Sequence, residues 1–194
     1  TDLCGIKTNE KILEVGCGIG RMAIPLTAYL DENGRYEGID IVKEGIDWCQ
    51  KNITPTFPNF RFQQADIYNN LYHPKGKHNA SEYRFPFEDG TFDFVFLTSV
   101  FTHMLPPEVD NYIKEISRVL RSGGQAFLTF FLLNEESLKY AESENSRFHK
   151  EYEGCRVIDK HLPEAAIAYE ETYVRNRLTE NNLEITEPIR YGNW

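Results

Sequence analysis

Apolar and polar residues alternate along this chain in short blocks that are typical of buried strands and amphipathic helices. The apolar positions between residues 106 and 120, for example, recur with the i, i+3, i+4, i+7 spacing of a helix face. Strand and helix blocks follow each other in turn, which favours a mostly parallel sheet with helices on both faces. The pattern predicts strands at 12–15, 36–39, 60–64, 92–97, 125–131 and 183–189, and helices at 21–30, 43–52, 106–120 and 163–181.

The junction between the first predicted strand and the first predicted helix carries the most informative motif. Residues 12–21 read I-L-E-V-G-C-G-I-G-R, with glycines at the alternate positions Gly16, Gly18 and Gly20. A strand, a glycine turn and a helix start together let backbone N–H groups approach a ligand closely. A dinucleotide-binding turn needs its third glycine one position later, where this chain has Arg21. The spacing therefore disfavours an NAD-type Rossmann oxidoreductase.

Polar residues follow the next predicted strands at the edge where open α/β sheets bind ligands. Asp40 ends the second strand, Asp66 follows the third and Thr98 follows the fourth. Asp40 lies 20 residues after Gly20, where a carboxylate can accept hydrogen bonds from both hydroxyls of a ribose. The alternative for Asp40 is a capping residue of the helix that follows. Asp66 has the same kind of alternative, in a cap or a turn.

Five segments, in the expected order, resemble the class I S-adenosylmethionine-dependent methyltransferases, and in particular their type 11/12-like domains. The resemblance implies a Rossmann-like, doubly wound sheet, with S-adenosylmethionine as cofactor and S-adenosylhomocysteine as product. It further implies in-line methyl transfer to a small-molecule acceptor through an O, N or C nucleophile, with sugar- or lipid-linked acceptors included. The segments are E-V-G-C-G-I-G at 14–20, G-I-D at 38–40, Q-A-D-I at 64–67, F-P-F-E-D-G-T-F-D-F-V-F at 85–96 and R-V-L-R-S-G-G at 118–124.

The resemblance also implies which residues hold the cofactor. Glu14 and the glycine-loop amides would bind its methionine part, Asp40 its ribose, and Asp66 with Ile67 its adenine. The full set that we expect at the cofactor is Glu14, Gly16, Cys17, Gly18, Gly20, Arg21, Asp40, Ile41, Asp66, Ile67 and Thr98.

The acceptor side offers one candidate catalytic residue, His103, just beyond the fourth strand. Relatives often carry a histidine here, and a general base is required only when the acceptor is an unactivated hydroxyl or a similar group. The alternative is a histidine that packs in its loop. Tyr68, Tyr72 and Tyr83 can form a wall near the sulfonium by cation–π contact, or they pack as ordinary aromatic residues.

Composition and charge restrict the kinds of ligand and partner that we expect. The net charge of −9 disfavours binding to a phosphate backbone, so we expect a small molecule and no nucleic acid. No apolar run reaches the roughly 18 residues that span a bilayer, and no signal peptide is visible, so we expect a cytoplasmic protein without membrane insertion. The four cysteines and five histidines show no zinc-binding spacing, and we expect no metal. Nothing in the sequence predicts an oligomeric state.

The chain also departs from the family pattern. We expect one domain over residues 1–194 with substrate-side insertions at about 67–84 and 134–162, where long loops are commonly functional. In the second insertion, residues such as Phe148 and Tyr152 either face the acceptor or pack as a lid. The usual first helix and last strand have no counterpart, so we expect a piece of the family's usual domain, lacking the last of seven strands. A catalytically inactive, cofactor-binding regulatory module is the alternative function.

Overall fold

A five-stranded parallel sheet forms the centre of the fold. The computed structural model describes residues 4–135, 137, 139 and 147–191, so part of the predicted 134–162 insertion lies outside the described residues. The strands of the sheet lie in the order β3-β2-β1-β4-β5, and the order reverses beside β1. The predicted α/β fold with a mostly parallel sheet is confirmed. Its strands are β1 (Lys11–Val15), β2 (Arg35–Asp40), β3 (Phe60–Gln64), β4 (Phe92–Leu97) and β5 (Leu120–Leu128).

The helices whose bounds lie wholly within the described residues are α1 (Ala23–Thr27), α2 (Lys43–Asn52), α3 (Pro106–Val119) and α4 (Glu171–Glu180). The predicted stripe of α3 is buried, and the Glu108 carboxylate accepts a hydrogen bond from the Leu105 amide at the helix start. Helix α1 is shorter than the predicted 21–30. It ends early because the amides of Ala28 and Tyr29 bond three residues back, which tightens the last turn.

A second, four-stranded sheet lies after β5. It consists of β6 (Phe131–Leu133), β7 (Lys150–Tyr152), β8 (Cys155–Val157) and β9 (Ile167–Glu170), in the order β6-β9-β8-β7. The predicted strand 125–131 is therefore two strands, and the predicted helix 163–181 is wrong over its first half. That half forms a 3₁₀ turn (Pro163–Ala165) and β9, whose residues 167–169 are fully buried. An apolar run covered on both faces fits an inner strand as well as a helix, so periodicity does not separate the two.

The predicted sixth strand at 183–189 is also wrong, since these described residues form no strand. Their segment is tied to α4 instead. Glu187 accepts a hydrogen bond from Arg175 at 2.6 Å, and the hydroxyl of Tyr191 donates to Glu171 at 2.6 Å. These side-chain contacts hold the segment beside the helix, and β5 ends the central sheet within the part of the chain that the structure describes.

The two faces of the central sheet each bury their own cluster of side chains. Leu13, Val95 and Leu97 pack on the α3 side, whereas Ile12 and Phe94 pack on the α2 side. Neighbouring residues along a strand point to opposite faces, so one strand supplies both clusters. Each fully buried apolar side chain contributes about 1.5–3 kcal/mol, which makes the sheet a rigid support for the loops at its edge. Among the described residues, no helix has both the length and the apolar character needed to cross a bilayer.

Candidate cofactor site

The glycine loop after β1 takes a backbone conformation that favours glycine. The φ angles of Gly16, Gly18 and Gly20 are +85°, +53° and +76°, which other residues adopt at a cost. A Cβ on Gly16 would overlap the Val100 side chain, and a Cβ on Gly20 would lie 2.9 Å from Ile53 Cδ1. A Cβ on Gly18 would meet nothing within 4 Å. Side chains of the core therefore pack against Gly16 and Gly20, whereas Gly18 faces open space. A ligand can approach the backbone of the loop at this middle glycine.

Asp40, at the end of β2, ties this loop to helix α2. One carboxylate oxygen accepts the Gly18 amide at 2.7 Å, and the other accepts the Val42 amide at 2.8 Å. Asp40 thus bonds to the start of the helix, although the helix N-cap itself is Val42. A carboxylate has about four acceptor positions, so the half-buried Asp40 keeps capacity for further donors, such as the hydroxyls of a ribose.

Glu14 lies beneath the loop and is only 2% exposed. Its carboxylate accepts a hydrogen bond from the Tyr36 hydroxyl. Burial raises the pKa of Glu14 to about 7, the Tyr36 bond opposes the rise, and the negative charge of Asp40 adds to it. Cys17 is buried at the same place, where burial raises the pKa of its thiol, while Arg21 is exposed. The structure therefore brings two mutually repelling carboxylates, Glu14 and Asp40, to one end of the sheet.

Asp66, predicted at the adenine, has protein partners. Its carboxylate lies 3.0 Å from His73 Nε2 and 3.0 Å from Lys77 Nζ, both in the predicted insertion 67–84. The bonds from His73 and then Lys77 lower the pKa of Asp66 to about 2. The amide of the buried Ile67 donates to the Ala65 carbonyl at 2.8 Å. The adenine role of Asp66 and Ile67 stays a prediction. It requires that the Asp66 carboxylate and the Ile67 amide either form an additional hydrogen bond to the adenine or give up a present one.

Around the turn after β4, the structure adds Val100 and Thr129, which sequence reasoning missed, to Thr98 and Ser99 at the strand end. Ser99 has a φ of +59°, a conformation that costs a non-glycine residue roughly 1–3 kcal/mol, and its amide donates to Thr129 Oγ1 at 2.9 Å. This turn places Val100 against Gly16, next to the half-buried Thr98. Serine is uncommon at positive φ, so the sequence carried no signal for this strained position.

His103 lies three residues beyond Val100, in a 3₁₀ turn over Phe101–His103. Its Nδ1 is 2.8 Å from the Glu164 carbonyl oxygen. A carbonyl only accepts, so in the neutral ring the proton sits on Nδ1 and Nε2 carries the lone pair. Nε2 has no hydrogen-bond partner among the described residues. The Tyr72 ring stands edge-on to this imidazole, with the two ring centroids 5.7 Å apart.

Other candidate residues pack within the protein. Tyr83 is half-buried and contacts the rings of His78 and Phe85, with centroids 5.9 and 6.4 Å apart. Phe148 is 3% exposed and packs on Phe131, so it belongs to the core. Within the described ranges, no group of three or more histidine, cysteine or acidic side chains is placed to hold a metal ion.

Comparison with known proteins identifies the family. A family model described as a methyltransferase domain matches residues 12–124, more than half of the chain. A fatty-acid O-methyltransferase of Mycolicibacterium smegmatis is 30% identical over 68% of this chain and 39% of its own length. A sterol 4-C-methyltransferase of Caenorhabditis elegans is 26% identical over 97% of this chain and 50% of its own length.

Solved structures share the fold. The crystal structure of YcgJ from Bacillus subtilis has a TM-score of 0.62 and 18% identity, over 93% of this chain and 64% of that chain. This chain spans about half the length of the curated relatives it matches: it covers 39% of the fatty-acid O-methyltransferase and 50% of the sterol 4-C-methyltransferase. The matched region runs from β1 through the glycine loop to the turn that leads into β5. The chain belongs to the methyltransferase domain family, for which S-adenosylmethionine is the cofactor.

Proposed function

We propose that this chain holds S-adenosylmethionine between the glycine loop and Asp40 and transfers its methyl group to a small-molecule acceptor. The observation that carries the proposal is the bridge that the Asp40 carboxylate makes between the Gly18 amide and the start of α2. It fixes an acidic side chain beside an open glycine. The cofactor supplies an electrophilic methyl group on a sulfonium. The protein's part is alignment, and proximity and orientation can supply roughly 7–11 kcal/mol of the barrier.

Electrostatics support the same ligand. S-adenosylmethionine carries an ammonium and a sulfonium, and Glu14 and Asp40 repel each other where we propose that it binds. A cationic ligand relieves that repulsion, and the attraction is stronger in a partly buried site than in water. The loop amides would complete the cofactor contacts, together with Ile41, which follows Asp40, and Thr98, which follows β4.

His103 is the proposed proton acceptor on the other side of the site. Its Nδ1 is committed to the Glu164 carbonyl, so the free Nε2 can take the proton of a hydroxyl or similar acceptor as the new bond forms. Phe101, in the same 3₁₀ turn as His103, is fully buried and stacks on Phe130 with the ring centroids 4.5 Å apart, which anchors the turn in the core.

We infer an acceptor with an apolar body. Tyr68, Leu71 and Tyr72, in the insertion beside His103, are 40–51% exposed, which is high for large apolar side chains. Two of the similar proteins are a fatty-acid O-methyltransferase and a sterol 4-C-methyltransferase by name, which supports the same class. Another similar protein is a tRNA N(3)-cytidine methyltransferase, but a net charge of −9 disfavours a polyanionic acceptor here.

Calorimetric titration with S-adenosylmethionine tests the cofactor site. We expect the Asp40→Asn variant to bind at least about ten-fold more weakly, because hydrogen bonds to a charged group are worth about 1.5–3 kcal/mol. Asp47→Asn is the matched control, since Asp47 is exposed on α2 and pairs with Lys43. Equal affinity of wild type and the Asp40 variant would refute the proposed site.

Methyl transfer is tested separately with methyl-labelled S-adenosylmethionine and a panel of oleic acid, ergosterol and bulk tRNA. We expect label in a lipid acceptor and none in tRNA. Transfer to tRNA alone would overturn the apolar acceptor. Cofactor binding without transfer across a broad panel would favour the inactive, cofactor-binding module over an enzyme.

A further inference from the structure

The insertion 67–84 begins as an ordered turn and not as a loose loop. The backbones of Asn69 and His73 bond to each other in both directions, at 3.2 and 3.0 Å. Inside this turn the Asn69 side-chain oxygen accepts the amides of Leu71 and Tyr72, each at 3.0 Å. The backbone that carries Tyr72 is therefore fixed by four hydrogen bonds within five residues.

Asp66 anchors this turn to the end of β3. Its carboxylate holds His73 and Lys77, while its backbone carbonyl accepts the amides of Lys77 and His78 at 3.1 and 3.0 Å. Gly76 lies against the Ile67 backbone so closely that a Cβ would overlap the Ile67 carbonyl group. The turn thus rests directly on the strand end, with no space between them for a larger residue.

The anchored turn delivers Tyr72 to His103. The residue next to Tyr72 in the chain is His73, which Asp66 holds, and the Tyr72 ring meets the His103 ring edge-on at an interplanar angle of 78°. On another side of the imidazole, Nδ1 is held by the Glu164 carbonyl. Tyr72 comes from the first predicted insertion, and Glu164 lies two residues after the second. Both therefore contact the same side chain, that of His103.

We propose that Tyr72 is a positioning residue for His103, and that Asp66 sets the place of Tyr72 through the ordered turn. The inference rests on the proposed function, in which His103 faces the acceptor. This inference gives Asp66 a role on the acceptor side of the site. The role holds whether or not Asp66 also contacts the adenine of the cofactor. Orientation of a proton acceptor matters because small misplacements of a reacting group cost large factors in rate.

Histidine-selective ¹³C NMR of the full chain tests this without an acceptor. The ring signals of His103 are assigned by their loss in His103→Gln. We expect Tyr72→Leu to move these signals, because the aromatic ring beside them is gone, and Tyr72→Phe to restore the wild-type positions. Asp66→Asn and Gly76→Ala should move them in the same direction as Tyr72→Leu, although neither residue contacts His103.

The control is Lys75→Met, an exposed lysine of the same turn, which should leave the His103 signals in place. Asp66→Asn is the decisive variant if Gly76→Ala fails to fold, as judged by circular dichroism. Unmoved His103 signals in Tyr72→Leu would overturn the role of Tyr72, and unmoved signals in Asp66→Asn would overturn the anchor. If the wild type does not bind S-adenosylmethionine in calorimetry, the proposed function is refuted. The NMR experiment would still show whether Tyr72 and Asp66 position the His103 ring, so the two failures can be told apart.

Discussion

The buried Glu14 carboxyl should make the stability of this protein fall as the pH rises. Burial raises its pKa from 4.5 to about 7, so the folded protein keeps a proton that the unfolded chain releases. The stabilisation is fully present below about pH 4.5 and is lost as the pH rises through about 7. At 1.36 kcal/mol per pKa unit, the whole effect is about 3 kcal/mol, and most of it falls between pH 5 and pH 8.

The assay is urea unfolding of wild type and Glu14→Gln at several pH values in that range. Glutamine cannot ionise, so the free energy of unfolding of the variant should rise relative to wild type by about 2–3 kcal/mol from pH 5 to pH 8. Taking the difference between the two proteins cancels the contributions of the other titrating groups. A difference that stays constant across this range would refute the reasoning.

Tyr36→Phe provides an independent check of the cause. The Tyr36 hydroxyl donates to Glu14 and lowers its pKa, so removal of the hydroxyl should raise that pKa further. The fall in stability should then extend to higher pH than in wild type. If Tyr36→Phe weakens the pH dependence instead, the hydrogen bond does not stabilise the charged form.

Three other predictions follow from local geometry. Gly16→Ala should destabilise the fold by more than the roughly 1–2 kcal/mol of its backbone strain. In urea unfolding its loss should also exceed that of Gly18→Ala, because a Cβ on Gly16 overlaps the Val100 side chain whereas one on Gly18 meets nothing, and equal losses would contradict this. Arg118→Met should cost about 3–5 kcal/mol in thermal unfolding, since it leaves the 6%-exposed Glu115 carboxylate without its charge partner, and a cost under 1 kcal/mol would contradict this. Long-range ¹H–¹⁵N NMR should show His103 with its proton on Nδ1 in the neutral form, and an Nε2 proton would contradict the Glu164 contact.

Local sequence predicted four strands of the central sheet and the glycine loop. The strands at 12–15, 36–39, 60–64 and 92–97 are those of the structure to within a residue or two, because each is a short apolar run between turn residues. The glycine spacing and Asp40 likewise identified a loop and an acid that the structure joins by a hydrogen bond. Such features depend on neighbours that are close in sequence or on the fixed parallel order of strand ends.

Contacts between residues far apart in sequence decided the structure after β5 and the surroundings of Asp66 and His103. Residues 167–169 became a strand because β6 and β8 lie on both sides of them, and residues 183–189 stayed irregular where their side chains bond to α4. The partners of Asp66, and Tyr72 beside His103, come from the insertion that periodicity left undefined, while Glu164 lies in a segment that periodicity predicted as helix and that the structure forms as a 3₁₀ turn.

The sequence by itself determined the family, the cofactor and the parallel sheet, since these depend on motifs in which a few adjacent residues set the backbone. Only the tertiary structure decided that Tyr72 and Glu164 meet at His103, residues that are 31 and 61 positions away from it. The physical reason is that a side-chain contact across such a separation depends on the path of the whole intervening chain. No local preference of either residue specifies it.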